Sequence, residues 1–261
     1  MSLKQSLGRT LHKFAADPLG TAGSVWRKGV TDPLRYGAPP GIGGAGAYDA
    51  RRYWSNRFAR HAESLRGPGD EGLSDEQNRR EYEAAGAQFM ALCRSLPLDY
   101  AGANVLEIGP GSGYYTDLLR QLGVRRYTGL DIAGSLLPAL SARFDGFAFA
   151  QADAAALPLA AREGGGRQGE SRQGTFDLIA IIDVIEHIVE RRTLAAALGG
   201  LEGLLAPGGR LLIAPLMESS GRHLFYVHFW SQADVCACLP HLRLEVLTPF
   251  RGGELAAFVS G

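Results

Sequence analysis

Three glycines at alternate positions, Gly109, Gly111 and Gly113, follow the short apolar run Val105-Leu106-Glu107-Ile108. Val105, Leu106 and Ile108 read as the end of a β-strand. The glycines let the backbone turn tightly with no Cβ in the way, and they let a ligand lie against bare main chain. Tyr114-Tyr115-Thr116 then opens a helix. The first N–H groups of a helix lack intrahelical partners and carry partial positive charge. A strand–turn–helix of this kind is the nucleotide-binding corner of a doubly wound α/β sheet.

The spacing of the glycines selects the nucleotide. The dinucleotide fingerprint is G-x-G-x-x-G, whereas this turn is G-x-G-x-G. Tyr114 stands where the third dinucleotide glycine would be, and its side chain would spoil close helix–strand packing. An acid, Glu107, sits two residues before the first glycine. An acid there suits a cationic amino group better than a pyrophosphate. The turn therefore argues for S-adenosylmethionine over NAD.

Composition narrows the class. A chain of 261 residues holds one large domain or a core domain with an appendage. Its net formal charge of zero supplies no global field toward nucleic acid or a membrane surface, so no nucleic-acid partner is expected. The three cysteines, Cys93, Cys236 and Cys238, are too few and odd in number for a disulfide framework. Cys236-Ala237-Cys238 has one intervening residue and no second pair, so no zinc site is expected. No apolar run is long enough to span a membrane, and the N-terminus lacks an apolar signal core. Together these features predict a cytoplasmic protein.

The chain divides into three parts. Residues 1–47 form an N-terminal arm that ends in the breaker-rich linker Pro39-Pro40-Gly41 and Gly43-Gly44-Ala45-Gly46. Residues 48–100 form a helical cap. In it, Tyr53, Arg57 and Arg60 can share one helix face, giving a lid in which Arg57 meets a ligand carboxylate in bidentate fashion. Ser74 with Gln77 reads as a helix N-cap and its capping-box partner. Residues 101–261 alternate strand and helix, the mark of a parallel sheet covered on both faces.

Within that third part, Tyr127–Leu130 forms a strand ending at Asp131. This acid lies near the ~20-residue interval that places a carboxylate on ribose hydroxyls. Phe147–Gln151 is a third strand, followed by Ala152-Asp153. Residues 161–175 are nearly devoid of apolar side chains and read as a flexible insertion. Phe176–Ile182 is the near-continuous apolar run of a central parallel strand. It ends in Asp183-Val184-Ile185-Glu186-His187, polar groups in the crevice where such sheets bind ligands. A helix at 190–205 and a strand at 210–214 follow, then an irregular segment rich in His and aromatics around 223–230. Ser231 caps a short helix. Strands at 242–247 and 254–259, joined by Gly252-Gly253, can pair antiparallel at the sheet edge. The expected fold is a Rossmann-like, doubly wound, seven-stranded, mostly parallel sheet with an antiparallel C-terminal edge hairpin and an N-terminal helical extension.

Five landmarks agree in order and spacing with one family. Val105–Thr116 resembles methyltransferase motif I, and Gly129-Leu130-Asp131-Ile132 the acidic loop after strand two. Ala152-Asp153 resembles the adenine-contacting loop, Phe176–His187 motif IV, and Leu205–Arg210 the loop before strand five. Over about residues 80–261 the chain resembles a class I S-adenosylmethionine-dependent methyltransferase of the small-molecule group, similar to the ubiquinone-biosynthesis O-methyltransferases. The resemblance implies that Glu107 holds the methionine amino end. It implies that Gly109, Gly111 and Gly113 leave room for the methionine and ribose portion. Asp131 would take both ribose hydroxyls, with Ile132 against the adenine. Asp153 would take the adenine amine, with Ala154 flanking it, and Asp183 would line the methionine side.

The implied reaction is in-line displacement at a sulfonium methyl, which asks the protein mainly for alignment and for removal of a proton. His187, beyond strand four and able to titrate near neutral pH, is the candidate base. Glu186-His187 with His228 also resembles the divalent-metal arrangement of some O-methyltransferases, with Asp183 in place of a usual Glu; no metal is assigned. The expected activity is methyl transfer to a small-molecule acceptor, on oxygen. An RNA 2′-O-methyltransferase and a non-catalytic protein that keeps the fold for binding are the alternatives.

Overall fold

The computed structural model describes residues 48–61, 64–157 and 175–261. The expected arm at 1–47 and all of the expected insertion at 161–175 except Thr175 lie outside them. Helices α1 (Ala50–Arg60) and α2 (Asp75–Ser95) come first. They are followed by β1 (Asn104–Ile108), α3 (Tyr114–Gln121), β2 (Arg126–Asp131), α4 (Leu137–Arg143), β3 (Ala148–Gln151), β4 (Phe176–Ile182) and α5 (Arg191–Glu202). The chain ends with β5 (Leu205–Leu216), β6 (Gly221–Leu224), β7 (Val227–Phe229), α6 (Gln232–Ala237), β8 (Leu242–Phe250) and β9 (Gly253–Ser260).

The seven-stranded sheet runs β3-β2-β1-β4-β5-β9-β8. Strands β1 to β5 are parallel; β9 pairs antiparallel with both β5 and β8. The apolar runs explain the centre. Val105, Leu178, Ala180, Ile182, Leu212 and Ala214 face Phe89, Leu92 and Leu119 of α2 and α3. Their neighbours Leu106, Ile179, Ile181, Leu211 and Ile213 face Leu194, Leu198 and Leu201 of α5. Both faces of a parallel sheet are thus covered, as the period-two alternation of side chains requires. Among the described residues no helix is long and apolar enough to cross a membrane.

Local signals hold where they concern neighbours in sequence. Ser74 Oγ accepts from the Gln77 N–H and Gln77 Oε1 accepts from the Ser74 N–H, the expected capping box. Ser231 caps α6. Three elements depart from expectation. Strand β5 starts at Leu205, before the Pro207-Gly208-Gly209 turn, because Leu205 pairs with Phe176 and the loop bulges out. Helix α4 fills the connection between β2 and β3. The segment around 223–230, expected to be irregular, forms the two-stranded β6–β7 hairpin.

Arg57 is the chief correction in the cap. Its guanidinium is buried and is not part of the cavity lining. Nε donates to the Gly67 carbonyl at 2.6 Å, Nη2 to the carbonyls of Arg66 and Gly69, and Nη1 to the Tyr53 hydroxyl at 3.0 Å. Glu71 Oε2 stands 3.9 Å away. From the other side, Asn78 on α2 accepts from the Asp70 N–H and donates to the Asp70 carbonyl. The 66–71 loop is therefore clamped between two helices, and it carries Pro68 to the glycine turn.

Glu107 sits inside β1, 2% exposed, and its Oε2 accepts from Tyr127 at 2.5 Å and Thr116 at 2.8 Å. Burial pushes this carboxyl up to about 7, although both hydrogen bonds pull it down. A carboxyl raised in the folded state gives stability that is present at low pH and lost as pH rises through about 7.

Two outcomes are expected in urea unfolding of the ligand-free protein. Arg57→Met, which strands several loop carbonyls and weakens the hold on Glu71, costs about 3 kcal/mol; a cost under about 1 kcal/mol contradicts the clamp. Wild type loses about 2 kcal/mol relative to Glu107→Gln between about pH 5 and about pH 8. Parallel pH curves for those two proteins contradict the buried acid.

Candidate functional site

The carboxyl ends of β1, β2, β3 and β4 open into one cavity of about 560 Å³, roofed by α1 and the 66–71 loop. That volume is in the range of small-molecule and cofactor sites. The glycine turn forms its floor. All three glycines have positive φ, at +71°, +52° and +79°. Their side-chain positions differ. A Cβ on Gly109 would lie 2.4 Å from Val184 Cγ2, and one on Gly113 would lie 2.7 Å from Leu140 and Phe144. A Cβ on Gly111 would meet nothing nearer than Pro68 Cβ at 3.6 Å. Gly111 is thus the open position where bare backbone faces the cavity. Gly109 also lines it. Gly113 does not: it lets α3 start against α4, and no ligand room depends on it directly.

Glu107 likewise lies behind the wall, engaged with Tyr127 and Thr116, rather than in the cavity lining. The other candidates converge. Asp131 lines the cavity at the end of β2, its Oδ2 accepting from the Gly111 N–H at 3.2 Å and its Oδ1 from the Ala133 N–H at 2.8 Å. Burial raises its carboxyl and those two donors lower it. Ile132 is beside it. Asp153 caps the turn at Ala154–Ala156, its Oδ1 accepting from the Ala155 N–H at 2.9 Å, and both Asp153 and Ala154 line the cavity.

Asp183 lines the opposite end. Its backbone is left-handed, φ 57°, and its Oδ2 accepts from the Tyr115 hydroxyl at 2.9 Å. His187 closes the turn at Ile185–His187 and reaches the cavity under α1. Its ring stands edge-on to Trp54 at 4.6 Å, and its Nδ1 lies 3.1 Å from the Tyr226 carbonyl. A carbonyl only accepts, so Nδ1 carries the hydrogen. In the neutral ring Nε2 then holds the lone pair.

The metal arrangement does not assemble. Glu186 lies outside the cavity lining and is half-buried, its carboxyl pushed up to about 8 by desolvation and by the Asp183 charge. Its Oε1 is 4.0 Å from His187 Nε2. His228 stacks on Trp230 at 4.0 Å. Among the described residues no three His, Cys, Asp or Glu side chains are placed to hold a metal ion.

Several lining residues escaped the sequence reading. Tyr48, Trp54 and Phe58 form the roof and Tyr82 and Tyr115 a side wall. The helix face of Tyr53, Arg57 and Arg60 signalled a lid over the site, but nothing local tied Tyr82 or Tyr115 to it. The residues present fit S-adenosylmethionine on three observations: the bare backbone at Gly111, carboxylates at both ends of the cavity, and sufficient volume.

Residues 74–247, more than half of the chain, match the family model described as a methyltransferase domain. The ubiquinone biosynthesis O-methyltransferase of Nitrosococcus oceani is 30% identical over 129 residues, 49% of this chain and 49% of that protein. The protein-L-isoaspartate O-methyltransferase of Stenotrophomonas maltophilia is 32% identical over 127 residues, 49% of this chain and 48% of that protein. The chain spans about half the length of the curated relatives it matches. Among solved structures, Streptomyces venezuelae DesVI is similar with a TM-score of 0.52 at 18% identity, over 69% of this chain and 92% of that one. The glycopeptide N-methyltransferase MtfA is similar with a TM-score of 0.52 at 19% identity, over 68% and 90%. These structural likenesses speak for the fold. With the domain match over more than half of its length, the chain belongs to the methyltransferase-domain family and has the Rossmann-like fold of the class I methyltransferases.

Proposed function

We infer that this chain transfers a methyl group from S-adenosylmethionine to an oxygen of a small-molecule acceptor. The observation that carries the reading is the single cavity shared by Gly111, Asp131, Asp153, Asp183 and His187. Both curated relatives quoted above are named as O-methyltransferases, which supports oxygen. The zero net charge speaks against an RNA acceptor. Three free cysteines support a reducing, cytoplasmic setting.

The roles follow from position. Asp131 would hold the ribose hydroxyls, and Ile132 and Ala154 would flank the adenine, with Asp153 on its amine. Gly109 and Gly111 would admit the chain between ribose and methionine. Asp183 would line the methionine end. Glu107 and Gly113 support the turn from behind. When bound, S-adenosylmethionine supplies an activated methyl group on a sulfonium. The protein aligns the acceptor against it. The rings of Trp54, Phe58, Tyr82 and Tyr115 keep bulk water from the acceptor. His187 takes the acceptor proton at Nε2, while the Tyr226 carbonyl holds Nδ1–H and fixes the tautomer.

Calorimetric titration with S-adenosylhomocysteine tests the cofactor assignments. Asp131→Ala and Gly111→Ala should each weaken binding about tenfold or more, a change of about 1.4 kcal/mol. Gly111→Ala should cost only about 1–2 kcal/mol of stability, the cost of a left-handed alanine. Wild-type affinity in either variant contradicts the placement.

Transfer of labelled methyl to a panel of phenols, alcohols and amines tests the acceptor, and hydroxyl products are expected. Methylation of amines alone contradicts the oxygen assignment. On the acceptor so found, His187→Ala should lower turnover by roughly 10²- to 10⁴-fold with cofactor affinity kept. Undiminished turnover removes His187 as the base.

A further inference from the structure

Among the described residues, two non-glycine side chains sit on left-handed backbone, Asp183 (φ 57°) and Arg251 (φ 45°). They are each other's ion-pair partners, with Arg251 Nε 3.0 Å from Asp183 Oδ2. Left-handed backbone at a non-glycine residue is sparsely populated and persists where the surroundings enforce it; such positions cluster at functional sites. Arg251 stands at the tip of the hairpin between β8 and β9, remote in sequence from the glycine turn. Its guanidinium carbon lies 4.8 Å from the Tyr82 ring centre. The Asp183 oxygen it faces also accepts from Tyr115. Asp183, Tyr82 and Tyr115 all line the cavity, and Arg251 does not. It touches three wall residues from behind.

We propose that Arg251 is a positioning residue for methyl transfer, fixing the Asp183 carboxylate with Tyr115 and Tyr82 as the cavity wall at the methionine end. This rests on the reading of Asp183 under Proposed function. The physical need is plain. A buried carboxylate with no counter-charge takes up a proton instead of staying ionised. Four groups face Asp183: Tyr115 from α3, Tyr82 from α2, Arg251 from the hairpin, and Glu186 from its own turn. Of these, Arg251 is the cation. Burial raises the Asp183 carboxyl and Arg251 opposes that rise. The neighbouring Glu186 acid makes the cation more necessary, since two ionised carboxylates would repel. Two Arg251 nitrogens, Nε and Nη2, are buried without a hydrogen-bond partner among the described residues, so Nε meets Asp183 as an ion pair by charge and proximity. The guanidinium is thus held here at a desolvation cost that a surface hairpin anchor would not incur.

The test is a double-mutant cycle on the full chain, read by calorimetric affinity for S-adenosylhomocysteine from about pH 5 to about pH 9. Arg251→Met is expected to lose about tenfold at neutral pH. Its affinity should recover as pH rises, with the midpoint displaced upward from wild type, because Asp183 must then ionise without a counter-charge. Asp183→Asn should lack that limb. The double variant should bind like Asp183→Asn alone, within about twofold, because Arg251 acts through Asp183. Arg251→Lys should fall between wild type and Arg251→Met and keep the wild-type midpoint. If Arg251→Met does not fold, the same cycle run with Arg251→Lys decides. Wild-type affinity and midpoint in the Arg251 variants, or a double variant showing the product of the two single losses, overturns the proposal alone. Wild-type protein that fails to bind S-adenosylhomocysteine overturns the cofactor reading and this proposal with it.

Discussion

A main chain that passes through φ of +71°, +52° and +79° within five residues is open to glycine and to little else. The rest of the site depends on that turn. It ends β1 at the carboxyl end of the sheet, brings the Gly111 N–H onto Asp131, and starts α3 so that Tyr115 points at Asp183. Each glycine answers to a different neighbour: Val184 at Gly109, Leu140 and Phe144 at Gly113, and open space at Gly111. Two of the three are therefore packing requirements. The third leaves room for a ligand.

Charge is arranged around the turn in layers. Behind it, Glu107 is buried on hydroxyl donors, which holds Thr116 and Tyr127 together across β1, β2 and α3. In front, Asp131 and Asp153 are held by backbone N–H groups and Asp183 by Tyr115 and Arg251. The carboxylates in the lining are thus oriented before any ligand arrives, which lowers the ordering cost of binding. Above, Arg57 clamps the 66–71 loop so that Pro68 sits over Gly111 and the aromatic face of α1 closes the cavity. Two arginines, Arg57 in the roof and Arg251 behind the wall, do most of the fixing, and neither lines the cavity.

The parts of this design that were legible in the sequence are those set by near neighbours or by period. The strand at Val105–Ile108, the capping box at Ser74, the acid at Asp131 and the apolar run of β4 are of that kind. So is the C-terminal hairpin, because Gly252-Gly253 stands between two alternating runs. What stayed hidden depends on long-range contact. Arg57 looks the same in sequence whether it faces a ligand or the Gly67 carbonyl. Arg251 meets Asp183 through the fold alone, across 68 positions of chain. The β6–β7 hairpin is stabilised by aromatic packing of Phe225 and Tyr226 on Tyr53, a partner far upstream. Gly113 reads as one of three equal glycines until α4 is seen beside it.

The most direct measurement is a crystal structure of the chain grown with S-adenosylhomocysteine. In it the ribose hydroxyls should lie on Asp131, the adenine between Ile132 and Ala154, the main chain at Gly111 against the ligand, and the sulfur toward the Asp183 and His187 end. A nucleoside bound anywhere outside this cavity, or one lying in it with Asp131 untouched, would contradict that placement.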